Sequence, residues 1–109
     1  MSQPSCQVVL TTCGDPDTAR RIASSLVEEG LAACVNILPA VWSVYMWEGE
    51  ATRDEELLLL AKTDASRYAA LERRLLELHP YELPEIIALP VAEGLESYLK
   101  WVVDPDSVQ

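Results

Sequence analysis

ACVNILPAVWSVYMWEGEATRDEELLLLAK, residues 33–62, is the stretch on which the fold turns. Its first half is dense in Val, Ile, Tyr and Trp, side chains that suit a pleated surface, and it stops at Glu48-Gly49-Glu50. The return arm starts charged after Ala51 and turns apolar from Leu57 to Ala61, just before Lys62. The pattern predicts one long β-hairpin. At roughly a dozen residues per arm and about 3.3 Å per residue the hairpin reaches about 40 Å. A compact chain of this length has a radius of gyration of only about 13 Å, so the hairpin has to bend or overhang. Pro39 lacks the N–H that a central ladder needs and marks a bulge or kink. Beyond it Val41, Trp42, Val44, Tyr45, Met46 and Trp47 put apolar side chains on both faces of the ribbon. One small domain cannot cover both, and an uncovered apolar strand invites another chain. Oligomerisation is the expected remedy.

Outward from the hairpin, Gln7 to Thr12 is a short β-branched run closed by Cys13-Gly14 and reads as a buried strand. A helix follows: Asp15 is placed to cap it and Pro16 suits its first turn. Ala19, Ile22, Ala23, Leu26 and Val27 recur at three and four before Gly30 stops it. After the hairpin Asp64 is placed to cap a second helix with an apolar stripe of Tyr68, Leu71, Leu75 and Leu78. That helix ends beside His79, because Pro80 disfavours helical geometry in the residue before it. Glu85 to Val91 is the last strand. Gly94 opens a short helix carrying Leu95, Tyr98, Leu99 and Val102, Pro105 closes it, and the tail from Asp104 to Gln109 is expected to fray. The order β-α-β-β-α-β plus a terminal helix predicts one domain over 1–109. Its class is α+β, a ferredoxin-like sandwich with helices on one face of an antiparallel sheet and a long extended hairpin.

Composition narrows the function. The 109 residues are half apolar, with 18 acids against 8 bases and a formal charge of −10. Such a field repels phosphate backbones and anionic lipid and favours cations, which argues against nucleic acid as a partner. No 18 apolar residues run together, and the first residues have neither a basic segment nor a long apolar one, so a soluble, cytoplasmic protein without membrane association is expected. Cys6, Cys13 and Cys34 form neither an even set nor a C-x-x-C pair, which disfavours a disulfide scaffold or a zinc ribbon; Cys34 is expected to be a buried thiol. There is no G-x-S-x-G, no H-E-x-x-H, and a single histidine, His79, to serve as a base. Apart from a nucleophile and base pair of Cys13 with His79, nothing points to an enzyme.

His79 by itself has two readings. One is a helix C-terminus, where imidazole complements the dipole and the last carbonyls. The other is a metal ligand. Glu85 reads as a solvated acid at a strand start or as a partner of His79. Tyr81 either lines the same cleft or packs, and Lys62 is read as a strand end at the surface. Trp42, Trp47 and Trp101 are read as core or interface anchors.

Taken together, the segments L-A-A-C-V-N (31–36), W-E-G-E (47–50), K-T (62–63), H-P-Y-x-x-P-E (79–85) and Y-L-x-W (98–101) resemble the CutA family of divalent-cation tolerance proteins, from about Gln7 to Val103. The resemblance implies a ferredoxin-like subunit in a tight homotrimer, the hairpin laid against its neighbours, in an architecture similar to that of the PII signalling proteins. It implies a divalent-metal-binding protein, copper in particular, acting in metal tolerance without an established reaction. It also leaves a PII-like sensor of small molecules in the inter-subunit cleft as the alternative. His79 and Glu85 stand where the family's proposed copper-binding histidine and glutamate stand. The cysteine that some members add at the end of the first strand falls on Thr11 here, and Cys13, two residues on, replaces it only if the strand continues that far. Imidazole and carboxylate suit Cu(II) and Zn(II), while a thiolate shifts preference toward Cu(I). One His and one Glu make an incomplete set, so weak binding with poor discrimination is expected, completed by Cys13, another carboxylate, water or a neighbouring subunit.

Overall fold

The structure, a computed structural model, describes residues 5–106. The elements are β1 (Cys6–Cys13), α1 (Pro16–Glu28), β2 (Cys34–Trp47), β3 (Glu50–Asp64), α2 (Tyr68–Leu78), β4 (Ile87–Pro90) and α3 (Glu96–Val103), with a single 3-10 turn, Ala65–Arg67, leading into α2. The four strands form one antiparallel sheet in the order β2-β3-β1-β4, the ferredoxin-like arrangement. The part of the tail from Ser107 to Gln109 that was expected to fray lies outside the described residues.

Local chemistry places the boundaries. Asp15 accepts the Thr18 N–H at 2.8 Å and Pro16 opens α1, filling the cap that the helix itself cannot supply. Gly30, at φ +74°, ends it, and the Leu31 N–H returns to the Leu26 carbonyl. Asp64 caps the 3-10 turn ahead of α2 through the Ser66 N–H. β4 is shorter than its apolar run: only four residues, Ile87 to Pro90, pair with β1, and the proline that ends it has no N–H to extend the ladder.

Side-chain alternation divides the sheet into two faces. Val9 and Cys13 of β1, with Leu59 and Ala61 of β3, turn toward α1 and α2, where Ala19, Ile22, Leu26, Leu71 and Leu75 complete a solvent-free core. The opposite face carries the cross-strand row Asn36, Leu60, Leu10, Ile87 and, beside it, Cys34, Lys62, Val8, Leu89. There α3 packs only at one end, over Cys6 through Leu99 and Val102, with Trp101 against the same cluster. The helices therefore do not all lie on one face, because the terminal helix closes the sheet end that α1 and α2 leave open. Leu38, Ile87 and Leu89 remain exposed, Val27 of the expected α1 stripe is exposed too, and Cys34 is only half-buried on this face.

The hairpin overhangs. The molecule extends 49 Å along its long axis against 26 and 23 Å across it. The pairing slips between Leu38 and Val41: Pro39 and Ala40 face one residue of β3, and Ala40 sits at φ +59°. That extra residue switches every later side chain of β2 to the other face. Beyond it Trp42, Val44 and Met46 share one face and Val41, Tyr45 and Trp47 the other. Trp42 is 70%, Met46 68% and Trp47 63% exposed.

Candidate functional site

Where α2 stops, β1 ends. His79 takes extended backbone (φ −80°, ψ 131°), as a residue before proline prefers, while its N–H still closes the helix on the Leu75 carbonyl at 2.8 Å. The turn sends its side chain away from its own helix and into the end of β1, where it is only 7% exposed. Nε2 lies 2.7 Å from the Thr12 carbonyl oxygen, and the Tyr81 backbone N–H reaches Nδ1 at 3.2 Å. The partners decide the tautomer. A carbonyl only accepts, so Nε2 carries the proton; an amide N–H only donates, so Nδ1 offers its lone pair. The helix-end reading of His79 thus holds for its backbone and not for its ring, which addresses a neighbouring strand.

Tyr81 packs its ring against the imidazole at 4.6 Å and donates its hydroxyl to Glu56 Oε2 at 2.8 Å. Burial and, after it, the Glu56 carboxylate push the Tyr81 phenol well above its ordinary range. Glu56 is a carboxylate only 8% exposed, on β3 opposite Val41, just past the bulge. The tyrosine approaches so closely that a Cβ on Gly14 would lie 3.3 Å from its hydroxyl oxygen. Thr12, Gly14, Glu56, His79 and Tyr81 therefore form one polar knot that ties the loop between α2 and β4 to the sheet.

β1 does run to Cys13, the condition for that residue to take the place of a strand-end ligand. Its side chain, however, is wholly buried in the core, and the thiol approaches the Asp15 carbonyl at 3.8 Å. Burial pushes the thiol up, the nearby Asp15 and Glu56 charges add to that, and the carbonyl contact opposes it. A protonated, desolvated sulfur is a poor metal donor. Thr11 points into the same core with a buried hydroxyl oxygen that has no hydrogen-bond partner among the described residues. Glu85 is exposed, and among the described residues it has no hydrogen bond or ion pair. No group of three or more His, Cys, Asp or Glu side chains among the described residues is arranged to hold a metal ion, so Cys13, His79 and Glu85 do not make a chelating trio within one chain. Lys62 is half-buried and donates to Asn36 Oδ1.

Sequence reasoning missed Glu56. It follows Asp54 and Glu55 in a charged run, and nothing in that run marks the third acid as the buried one. The alternation of β3 assigns it a face, but only the loop carrying Tyr81 gives it a partner.

A family model described as CutA1 divalent ion tolerance protein matches residues 7–105. The chain is 53% identical over 96 residues to the divalent-cation tolerance protein CutA of Thermus thermophilus, covering 88% of this chain and 93% of that protein. It is 43% identical over 95 residues to the chloroplastic protein CutA of Arabidopsis thaliana, covering 87% of this chain but only 52% of the longer plant protein. A solved structure of the divalent cation tolerance protein of Thermus thermophilus superposes with a TM-score of 0.89 at 52% identity, over 91% of this chain and 96% of that one.

Proposed function

This chain belongs to the CutA1 divalent ion tolerance family, and from that premise we propose that it acts as a homotrimer that binds divalent metal ions, copper among them, at sites completed between subunits. The observation that carries the reading is the surface one chain leaves uncovered: Trp42, Val44, Met46 and Trp47 on the overhanging ribbon, and Leu38, Ile87 and Leu89 on the open sheet face. Apolar area on that scale in a domain of this size calls for a partner, and a second and third copy supply a matching face. The donors of one chain fit an ion only in part. His79 has one lone pair, which already accepts from the Tyr81 N–H, and Glu85 is exposed, while Cys13 is the least suited of the three. The missing donors come from water or the neighbouring subunit.

The role is binding rather than catalysis. Its compartment is the cytoplasm, which suits three unpaired cysteines. No helix among the described residues is long and apolar enough to cross a membrane. Copper titration by calorimetry of the wild type, Glu85→Gln and His79→Ala, alongside sedimentation, tests both halves. Wild type is expected to sediment as a trimer and to bind copper more tightly than either variant. Three superimposable isotherms remove the metal role, and a lone chain at micromolar concentration removes the assembly.

A further inference from the structure

Independently of the metal reading, we propose that the cavity between α3 and the open face of the sheet binds a small zwitterion, an apolar α-amino acid, with Lys62 meeting its carboxylate and Glu93 its ammonium. The terminal helix touches the sheet through Leu99 and Val102 over Cys6. Beside that contact lies a cavity of about 210 Å³. Drug-sized ligands take pockets of about 300–1,000 Å³, so this one suits a smaller molecule. Its walls sort by chemistry. Val8, Val91, Leu99 and Val102 give an aliphatic lining, Lys62 enters from β3 opposite Val8, and the exposed Glu93 and Tyr98 stand at the mouth.

The two charges are not spent on each other. Lys62 donates to Asn36 Oδ1, which uses one of the three hydrogens of its ammonium, and Glu93 has no hydrogen bond or ion pair among the described residues. A lysine and a glutamate that line one cavity without pairing are matched by a ligand that carries both opposite charges, and the aliphatic lining is matched by an apolar side chain. Net charge selects against the simpler ligands. The field of a chain of formal charge −10 repels a free carboxylate, and a free amine meets the like charge of the Lys62 ammonium. A zwitterion is neutral as a whole and satisfies both groups.

L-Leucine is the probe, set beside 4-methylpentanoate, which lacks its ammonium, and 3-methylbutylamine, which lacks its carboxylate. In the full chain with 13C-labelled methyl groups, leucine should shift the Val8, Val91, Leu99 and Val102 methyls with a Kd on the order of 1 mM. Each truncated ligand should bind about tenfold more weakly, as the loss of one charge-assisted hydrogen bond predicts. Glu93→Gln changes an exposed side chain that has no partner to lose among the described residues, and it should weaken leucine about tenfold without weakening 4-methylpentanoate. Lys62→Gln should weaken both. The proposal is overturned by leucine affinity in Glu93→Gln equal to that of wild type, or by 4-methylpentanoate binding wild type as well as leucine does. It is overturned too if those four methyls stay unmoved as leucine is raised well past that concentration.

Discussion

At the scale of single residues, His79 is part of the fold whether or not an ion reaches it. Its ring satisfies a buried carbonyl and fills space between β1 and the loop after α2. His79→Ala is expected to cost about 2–4 kcal/mol in urea unfolding without metal, from the cavity and the stranded carbonyl together; a ring serving only as a metal ligand would show no such loss. Cys13 gives a pH prediction. Burial holds its folded thiol above the ordinary thiol range, so above that range the unfolded chain has lost a proton that the folded chain keeps. The slope of stability with pH is then negative, and stability present below the ordinary thiol range drains away as pH rises toward the folded value. Unfolding midpoints measured in urea from pH 8 upward should fall, and Cys13→Ala should flatten part of that fall. The remainder belongs to Cys6, Tyr45, Tyr68 and Tyr81, shifted in the same direction.

At the scale of elements, the bulge in β2 decides most. Pro39 announces an interruption, but which residue takes the unusual backbone is not written in composition; it falls on the exposed Ala40 at φ +59°. A β-branched side chain there meets its own backbone, so Ala40→Val should destabilise by about 1–2 kcal/mol with no change in the core, measured by thermal unfolding. The strands, the two long helices and the overhang were all legible, because period and capping residues are local signals. The placement of α3 on the opposite face was not, since an amphipathic helix states which of its sides is apolar and not which layer will receive it. The candidate site was legible in part for a similar reason. His79 and Glu85 stand out by rarity and motif, whereas Glu56 and the Thr12 carbonyl join the site only through contacts 25 and 67 residues apart in sequence.

At the scale of the whole molecule, a long ribbon and an open apolar sheet face sit on a chain with a formal charge of −10. Proposed self-association sets hydrophobic burial against like-charge repulsion. Salt screens the second and leaves the first, so sedimentation should show the assembly tightening between about 0.01 and 0.5 M salt, with the Debye length falling from about 30 Å to a few ångströms. Its unfolding midpoint should rise with protein concentration, as for any chain whose folded state is held by its copies. Replacing Trp42 and Met46 together by Ser should weaken the assembly while leaving the α1 and α2 core intact, read by sedimentation and far-ultraviolet dichroism.

By itself the sequence determined the strand and helix order, the ferredoxin-like topology, the kink at Pro39 and the excess of apolar ribbon, because each follows from periodicity, chain length and backbone chemistry within a few neighbouring residues. Tertiary structure alone decided that both nitrogens of His79 are engaged, that Cys13 is sealed in the core and that Glu56 is the acid that turns inward. Those outcomes depend on which groups from distant segments meet in space, and a buried hydrogen-bonding atom takes its partner from what the fold brings to it.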